Sequence, residues 1–208
     1  MNIKTSKNII VLDYGLNNIR SITNKLKKNG IQATGSSRSQ DLINADKIIL
    51  PGVGHFASAM QNLKNLGLID ILKKKVLVDK TPILGICLGM QLFASKSAEG
   101  DTEGLGFIDC VVEKFNIKDK NFKVPHVGWN TLEYSKPNIL LNNIDKQKKF
   151  YFVHSYHYTK AENYAVARTK YGYSFVSIIQ KDNIYGTQFH PEKSHLAGFK
   201  IIENFATL

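Results

Sequence analysis

The sequence predicts an α/β protein with a mostly parallel, doubly wound sheet, helices on both faces and additional antiparallel strands in the C-terminal half. In the first half, short apolar runs alternate with segments of helical periodicity, which is typical of buried parallel strands joined by helices. After residue 105, strand-like segments follow one another without helices between them, which favours antiparallel pairing. A chain of 208 residues is expected to form a single domain, residues 1–208.

The first half is predicted to alternate between strand and helix. Its predicted strands are residues 8–12, 31–34, 47–50 and 83–84, and its predicted helices are residues 19–30, 39–45, 56–63 and 68–72. Ser39 is expected to cap the second helix, because a serine hydroxyl accepts a hydrogen bond from the free N–H groups of a first turn. The third strand runs into a glycine-containing loop at residues 51–54, and ligands of such sheets bind at the carboxyl ends of strands.

The second half is predicted to consist mainly of strands. A polar loop is expected at residues 95–104, followed by strands at residues 105–115, 122–134, 149–153, 164–168, 175–180 and 184–189. Residues 196–205 are predicted to form a terminal helix. Its periodicity directs Phe199, Ile202 and Phe205 toward the core.

Composition excludes several classes of protein. The chain is 43% hydrophobic and 22% charged, which is a globular balance. Its longest apolar runs are far shorter than the roughly 20 residues of a membrane span, and the N-terminus lacks the apolar core of a signal peptide. The two cysteines give no disulfide framework and fit a reducing compartment. A cytoplasmic protein without a membrane partner is expected.

The net charge of +11 raises the question of nucleic-acid binding. The lysines occur in short groups at predicted helix ends and in loops, without a recognition motif or interleaved stacking aromatics. Solvated surface lysines are therefore the favoured interpretation, and no nucleic-acid partner is expected. A non-catalytic basic binding module remains an alternative.

A cysteine between two glycines follows the fourth predicted strand. Gly85, Cys87 and Gly89 form the thiol version of the G-x-S-x-G nucleophile elbow, in which small neighbours permit a sharp turn between strand and helix. The N-terminus of the following helix would favour a thiolate, and the Leu88 N–H would be available to an oxyanion. A buried cysteine in an ordinary turn is the alternative interpretation.

A candidate base occurs late in the chain. His190 and Glu192, separated by a proline, can supply a general base and the acceptor that orients it. Taken alone, this segment fits a surface turn equally well. Its occurrence at the end of a predicted strand, in a chain that also has the cysteine elbow, favours a catalytic triad of Cys87, His190 and Glu192.

Three segments together resemble the signatures of the class I (triad) glutamine amidotransferases: residues 51–54, 85–91 and 190–192. Further motifs are similar to those of the HisH family, the glutaminase subunits of imidazole glycerol phosphate synthase; they lie at residues 13–15, 99–100, 104–106, 124–130 and 151–156. The resemblance runs nearly from end to end of the chain. It implies a class I glutamine amidotransferase-like (flavodoxin-like) fold.

The resemblance also implies an activity, the hydrolysis of glutamine to glutamate and ammonia. Cys87 would attack the carboxamide, His190 would protonate the leaving ammonia, and Glu192 would fix the imidazole tautomer. The oxyanion hole would be formed by backbone N–H groups of Gly52, Val53, Gly54 and Leu88. The residues that would hold the glutamine head group are Gln91, Glu99, Ser155 and Tyr156. No cofactor and no metal are implied.

The family's ammonia passes through a sealed passage to a HisF-type (β/α)8 synthase subunit, with which the glutaminase forms a heterodimer. This pairing implies imidazole glycerol phosphate and AICAR formation in histidine biosynthesis. The positions that correspond to the partner interface are Asn18, Trp129, Tyr151 and Lys193. A lone tryptophan such as Trp129 is more often a core residue, although aromatic residues are also enriched in interface hot spots.

Five positions depart from the family pattern: Asn17, His55, Ala98, His157 and His195. His157 and His195 are more similar to paralogues that supply ammonia to sugar-amidating enzymes of surface-polysaccharide or flagellin-glycan biosynthesis, so this acceptor remains an alternative. A stand-alone cysteine hydrolase is an alternative of another class. A metallohydrolase that uses His154, His157, His190 and Glu192 is a weaker one, because side chains three apart near a strand end diverge.

Overall fold

The computed structural model describes residues 8–16 and 19–208. Its strands are β1 Ile9–Leu12, β2 Ala33–Ser36, β3 Lys47–Gly52, β4 Ile83–Cys87, β5 Ala94–Ser97, β6 Thr102–Glu103, β7 Ile108–Lys114, β8 His126–Thr131, β9 Glu133–Tyr134, β10 Lys149–His154, β11 Tyr156–Thr159, β12 Ala165–Tyr171, β13 Tyr173–Lys181 and β14 Ile184–Thr187. Its α-helices are α1 Ile19–Lys28, α2 Ser39–Ile43, α3 Phe56–Asn65, α4 Ile69–Lys73, α5 Leu88–Gln91 and α6 His195–Ala206. In this described part of the chain, no helix combines the length and the hydropathy that a membrane crossing requires.

The central sheet has eight strands among the described residues, in the order β2-β1-β3-β4-β14-β13-β12-β9. The pairs from β2 to β14 are parallel, and those from β14 to β9 are antiparallel. The first five strands therefore have the order of a flavodoxin-like doubly wound sheet. This confirms the predicted fold class. It also brings the carboxyl ends of β3, β4 and β14 side by side, which is where such folds bind ligands.

Two hydrophobic clusters fill the two faces of the central sheet. On one face, Ile22 of α1 and Phe205 of α6 pack in the same cluster as Ile49 and Ile86 of the sheet. On the other face, the cluster contains buried residues of α2, α3 and α4, including Leu63 of α3. Burial at every position explains why the inner parallel strands β1, β3 and β4 are largely apolar at successive positions instead of at alternate ones. Helices thus cover both faces, as predicted.

Two smaller sheets, of four and two strands among the described residues, extend the fold. One has the order β11-β7-β5-β6, and the other pairs β10 with β8. The antiparallel register of β10 and β8 places Tyr151 directly opposite Trp129 and His154 opposite His126. Residues on neighbouring strands at such positions contact each other. This pairing therefore brings together side chains that are more than 20 positions apart in the sequence.

Several local predictions are wrong. Residues 95–104 are not a loop, because β5 pairs in parallel with β7 and antiparallel with β6. These polar strands are stabilised by pairing with distant segments, which local sequence does not reveal. Ser39 is the first residue of α2, Arg38 occupies the N-cap, and no side-chain cap is formed there among the described residues. Strand β11 was not predicted, and the predicted strands at 105–115 and 122–134 begin later, at Ile108 and His126.

A buried lysine links the start of β3 to the end of α6. The Lys47 side chain is 1% exposed. Its ammonium group donates hydrogen bonds to the carbonyl oxygens of Phe205 at 3.2 Å, Ala206 at 2.5 Å and Leu208 at 2.9 Å. Carbonyl groups at a helix C-terminus lack intrahelical partners and carry partial negative charge. The Lys47 ammonium group supplies these carbonyls with both hydrogen bonds and positive charge. It thereby stabilises the packing of α6 against the sheet.

Candidate active site

Cys87 lies at a strained turn where β4 meets α5. Its backbone has φ 53° and ψ −111°, a region that side chains with a Cβ rarely occupy. Both flanking positions require glycine, because neighbouring backbone atoms leave no room for a Cβ. A Cβ on Gly89 would lie 1.8 Å from the carbonyl oxygen of Leu50, and a Cβ on Gly85 would lie 2.6 Å from the Cα of Met90. The turn therefore has the geometry of a nucleophile elbow.

The Cys87 thiol is surrounded by polar groups although it is only 6% exposed. The Gln188 side-chain amide donates to Sγ at 3.7 Å, and the Val153 carbonyl oxygen lies 3.9 Å from Sγ. Gln188 is held in turn by Gln91, whose amide donates to Gln188 Oε1 at 3.0 Å and to the Tyr156 carbonyl at 2.9 Å. The sequence analysis missed Gln188. The sequence offered one indication of its role, because Gln188 is a polar residue in the predicted strand 184–189, directly before His190.

His190 and Glu192 form a buried hydrogen-bonded pair near the cysteine. His190 Nδ1 and Glu192 Oε1 are 2.8 Å apart, and both side chains are almost inaccessible to solvent. Backbone contacts fix the segment, because the His190 N–H donates to the Tyr151 carbonyl at 2.9 Å and Ser194 Oγ donates to the His190 carbonyl at 2.6 Å. Among the described residues, His190 Nε2 has no hydrogen-bond partner. The imidazole nevertheless lies close enough to the Cys87 side chain to interact with it, so this nitrogen can exchange a proton with a molecule bound at the thiol.

The charge state of His190 is determined by opposing effects. Burial lowers the pKa of His190, but the nearby Cys87 thiolate and the Glu192 carboxylate favour the imidazolium and raise the pKa to about 10. A protonated imidazole donates from Nδ1 to Glu192 and keeps a proton on Nε2. The arrangement thus suits a thiolate nucleophile beside a general acid.

The contribution of His190 to stability is expected to disappear at alkaline pH. Its folded-state pKa of about 10 lies above the unfolded value of 6.5, so the stabilisation is fully present below pH 6.5 and is lost as the pH rises through 10. We expect the difference in unfolding free energy between the wild type and His190→Gln to shrink over this window. Chemical denaturation at about pH 6, 8 and 10 measures it. A difference that stays constant or grows would contradict the charged pair.

A cavity of about 520 Å³ opens at the carboxyl ends of β3 and β4. Its lining includes most of the residues predicted for catalysis and glutamine binding: Val53, Gly54, Cys87, Leu88, Gln91, Glu99, Ser155, Tyr156 and His190. Pro125, Val153, His154 and Lys193 complete the lining. Glu192, which pairs with His190, and Gly52 are buried and do not line the cavity. A cavity of this size is in the range of small-molecule sites.

One predicted oxyanion donor of the 51–54 loop, the Val53 N–H, does not face this cavity. The Val53 N–H donates to the Leu16 carbonyl oxygen at 2.9 Å, so this predicted oxyanion donor already has an acceptor outside the cavity. Gly54 follows with a φ of +105°, which favours glycine. The Leu88 N–H belongs to the first turn of α5, where N–H groups lack intrahelical acceptors. In this state, Leu88 is thus the better placed of the predicted donors.

Glu99 lines the same cavity as the elbow. One of its carboxylate oxygens, Oε2, accepts a hydrogen bond from the Phe56 N–H at 2.8 Å at the start of α3. His55 caps the same helix, since its Nδ1 accepts from the Ala57 N–H at 3.2 Å. A carboxylate held in this way is fixed in position but retains acceptor capacity on the other oxygen. It can therefore contact a cationic group of a ligand in the cavity.

His126, His154 and His157 are each held by hydrogen bonds to neighbouring groups. His126 Nδ1 and His154 Nε2 are 3.2 Å apart, and His154 Nδ1 lies 2.8 Å from the Tyr156 carbonyl oxygen. His157 uses its nitrogens for the Tyr158 carbonyl and the Tyr173 hydroxyl. Within residues 8–16 and 19–208, no group of three or more His, Cys, Asp or Glu side chains is arranged to hold a metal ion. These contacts oppose the metallohydrolase hypothesis.

Three of the four residues predicted for the partner interface lie together beside the cavity mouth. The Trp129 ring is 43% exposed and meets Tyr151 edge to face at a centroid distance of 5.8 Å. Lys193 Nζ lies 5.9 Å from the centre of the Tyr151 ring. His195 stacks on Trp129 at 4.7 Å with an interplanar angle of 8°. Asn18 lies outside the described residues. We call Trp129, Tyr151, Lys193 and His195 the aromatic face.

Comparison with known proteins identifies the family. The model of the family described as glutamine amidotransferase class-I matches residues 10–207. The chain is 50% identical to imidazole glycerol phosphate synthase subunit HisH 2 of Methanococcus maripaludis, over 95% of this chain and 98% of that protein. It is 49% identical to subunit HisH 1 of Campylobacter jejuni strain 81-176, over 96% of this chain and all of that protein.

A solved structure of a glutamine amidotransferase is similar in fold, with a TM-score of 0.74 at 17% identity over 96% of this chain and 99% of that chain. The architecture, the family model and the full-length relatives agree. The chain belongs to the class I glutamine amidotransferase family and, within it, to the group of the HisH subunits.

Proposed function

We propose that this chain is a glutaminase subunit that hydrolyses glutamine and supplies ammonia to a synthase. The observation that carries the proposal is the convergence of Cys87, on its strained turn, with the buried pair of His190 and Glu192 at one cavity. A nucleophile, a general acid and base, and an orienting carboxylate are the groups that amide hydrolysis through a thioester requires. We assign these three residues as the catalytic triad.

The reaction proceeds in two halves. The Cys87 thiolate adds to the carboxamide carbon of glutamine, and the tetrahedral oxyanion is bound by the Leu88 N–H and by an N–H of the 51–54 loop. His190 gives the Nε2 proton to the nitrogen, the C–N bond breaks, and ammonia leaves. His190 then takes a proton from water as the water attacks the thioester. The C–S bond breaks, glutamate is released, and Cys87 is a thiolate again.

The glutamine head group is assigned to Glu99, Ser155, Tyr156 and Gln91, which line the cavity together with the elbow. Glu99 is a fixed carboxylate and suits the ammonium group of an amino acid. Ser155 and Tyr156 line the same cavity and offer backbone and side-chain polar groups. Gln91 uses its amide nitrogen to hold Tyr156 and Gln188, which leaves its side-chain oxygen available to a ligand.

The proposed partner is a HisF-type (β/α)8 synthase subunit, and the proposed pathway is imidazole glycerol phosphate and AICAR formation in histidine biosynthesis. The relatives at 50% and 49% identity are named as HisH subunits of imidazole glycerol phosphate synthase. Lys193 belongs both to the cavity lining and to the aromatic face, so a subunit bound there would lie next to the site of ammonia release. An exposed tryptophan that packs against a tyrosine is typical of an interface hot spot.

One observation favours the alternative acceptor. His195, which departs from the family pattern, stacks on Trp129 at the centre of the aromatic face, and its backbone has a positive φ of 51°. A subunit that docks on Trp129 therefore also meets an imidazole. This difference supports a paralogue that pairs with a sugar-amidating synthetase of surface-polysaccharide or flagellin-glycan biosynthesis.

Genetic complementation separates the two acceptors. We expect this chain, supplied with the HisF-type subunit of its own organism, to restore growth without histidine to a cell that lacks its HisH subunit. The matched control is Cys87→Ser with the same partner, which should not restore growth. Failure of the wild type, together with copurification of a sugar-amidating synthetase, would replace histidine biosynthesis by the alternative pathway.

A further inference from the structure

The side-chain amide of Gln188 ends a chain of hydrogen bonds at the nucleophile. Gln188 follows β14 and is completely buried. Its nitrogen lies 3.7 Å from Cys87 Sγ, and its oxygen accepts a hydrogen bond from the Gln91 amide at 3.0 Å. A buried amide needs partners for both its donor and its acceptor, because water does not reach it. The sulfur is the partner that the structure gives to the donor end of Gln188.

The orientation of this amide is set by a backbone carbonyl. The Tyr156 carbonyl oxygen can only accept hydrogen bonds, and it lies 2.9 Å from the Gln91 amide nitrogen and 2.8 Å from His154 Nδ1. Gln91 must therefore direct its nitrogen, and not its oxygen, toward this carbonyl. The second N–H of the same nitrogen meets Gln188, which must present its oxygen there. The nitrogen of Gln188 is then left to face the sulfur.

The reversed orientation of Gln188 would be unfavourable at both ends. Its NH2 group would meet the NH2 group of Gln91, and its oxygen would meet the electron-rich sulfur of Cys87. A negative charge on the sulfur strengthens this preference, because a hydrogen bond to an ionised acceptor is roughly twice as strong as one between neutral groups. The pKa of His190 is raised to about 10, and an imidazolium beside a cysteine favours the thiolate.

We propose that Gln188 is a further catalytic residue, whose amide donates a hydrogen bond to Cys87 Sγ and stabilises the thiolate in an orientation imposed by Gln91. It acts in addition to two titratable groups that interact with the sulfur, His190 and Tyr14, and carries no charge itself. The inference rests on the proposed glutaminase function and deepens it. The same donor is in place when the C–S bond of the thioester breaks and negative charge returns to the sulfur.

The test is Gln188→Met, which keeps an unbranched side chain and removes the donor. Alkylation by iodoacetamide is followed between about pH 5 and 9 in a Cys110→Ala background, which leaves Cys87 as the remaining thiol. On the acid side the rate should fall about 3- to 10-fold, because less thiolate forms without the donor. On the alkaline plateau it should not fall, because a thiolate that lacks the hydrogen bond is at least as nucleophilic.

Gln180→Met is the matched control and should leave the alkylation profile unchanged. Gln180 also forms hydrogen bonds through both ends of its amide. It pairs with Tyr185 near the start of β14, whereas Gln188 follows the end of that strand.

Gln91→Met gives an independent measurement, because it removes the group that orients Gln188 and leaves the donor in place. Its acid-side rate should fall less than that of Gln188→Met. The double variant should equal Gln188→Met alone, since Gln91 acts on the sulfur through Gln188. Iodoacetamide has no amino-acid head group, so this assay is independent of the role of Gln91 in glutamine binding.

Each outcome decides the inference. An acid-side rate of Gln188→Met equal to that of the wild type would overturn it, and so would an equal loss in Gln180→Met. A loss by the same factor at every pH would mean that the thiol is displaced, which also contradicts the proposed role. Additive losses in the double variant would contradict the orienting role of Gln91. If Gln188→Met does not fold, an unchanged acid-side rate in Gln91→Met overturns the inference.

Failure of the proposed function gives a different result. A wild-type chain that is alkylated at Cys87 but does not hydrolyse glutamine, even with its synthase partner, would overturn the glutaminase assignment. The alkylation profiles would still decide whether Gln188 stabilises the thiolate, because they require no glutamine.

Discussion

Cys87→Ser should lose at least about 10⁴-fold in the rate of glutamine hydrolysis while its fold stays intact. The reason lies in the protonation state of His190. An imidazole whose pKa is raised to about 10 supports a thiolate nucleophile, whereas a serine hydroxyl needs a neutral imidazole to remove its proton. Removing the nucleophile of a triad leaves only the residual effects of the oxyanion hole and of binding. Steady-state assays of glutamate release measure the loss, and circular dichroism checks the fold.

Cys110→Ala is the matched control and should retain the wild-type rate. Burial raises the pKa of Cys110 to about 12, so this thiol is almost entirely protonated at neutral pH and does not react. A glutamine-mimicking alkylator should therefore modify the protein once, at Cys87. Modification of Cys110 in its place, or hydrolysis by Cys87→Ser at the wild-type rate, would disprove the assignment of the nucleophile.

Binding of the synthase subunit with its acceptor is expected to raise the glutaminase rate about 10²- to 10³-fold. The isolated chain should be slow because the Val53 N–H is engaged by the Leu16 carbonyl and does not face the cavity. One oxyanion donor contributes about 3–4 kcal/mol to stabilisation of the transition state, so turning a single peptide is a sufficient switch. Leu16 immediately precedes residues 17 and 18, and Asn18 is a position that we assign to the partner interface.

Glutaminase assays with the chain alone, with the HisF-type subunit, and with that subunit plus its acceptor test this activation. Trp129→Ala should reduce the activation by the synthase subunit, because it removes the exposed ring of the aromatic face. Val78→Ala serves as the control, because Val78 is 71% exposed but lies before the start of β4, far from the carboxyl ends of the strands. Equal rates under all three conditions would instead support the stand-alone cysteine hydrolase.

The sequence was most informative where function and burial constrain neighbouring residues. Parallel strands buried on both faces are continuously apolar, so β1, β3 and β4 were predictable from their short apolar runs. The parallel pairing of β14 with β4 was not predicted, because the strands around β14 in the sequence pair in antiparallel fashion. The spacing of Gly85, Cys87 and Gly89 identified the elbow, because only small residues permit its backbone contacts. The pairing of His190 with Glu192 was predictable because two residues of one turn suffice to form it.

Features that depend on distant pairing were not predictable. The polar strand β5 exists because β7 pairs with it, and nothing in residues 95–104 indicates that pairing. Gln188 contacts the nucleophile only because Gln91, which is 97 positions earlier, holds its side chain. The exposure of Trp129 likewise follows from the pairing of β8 with β10, whereas a lone tryptophan suggests a core residue.

The buried Lys47 side chain fixes β3 and α6 relative to each other. Lys47 begins β3, which ends at Gly52, and its ammonium group holds the C-terminal end of α6, which begins just after Glu192. The strand that leads to the oxyanion loop and the helix that follows the base are thus fastened together at the end of the sheet remote from the cavity. These hydrogen bonds fix the distance between β3 and α6 at that end of the sheet. We therefore expect activation to involve the 51–54 loop, and not a shift of β3 against α6.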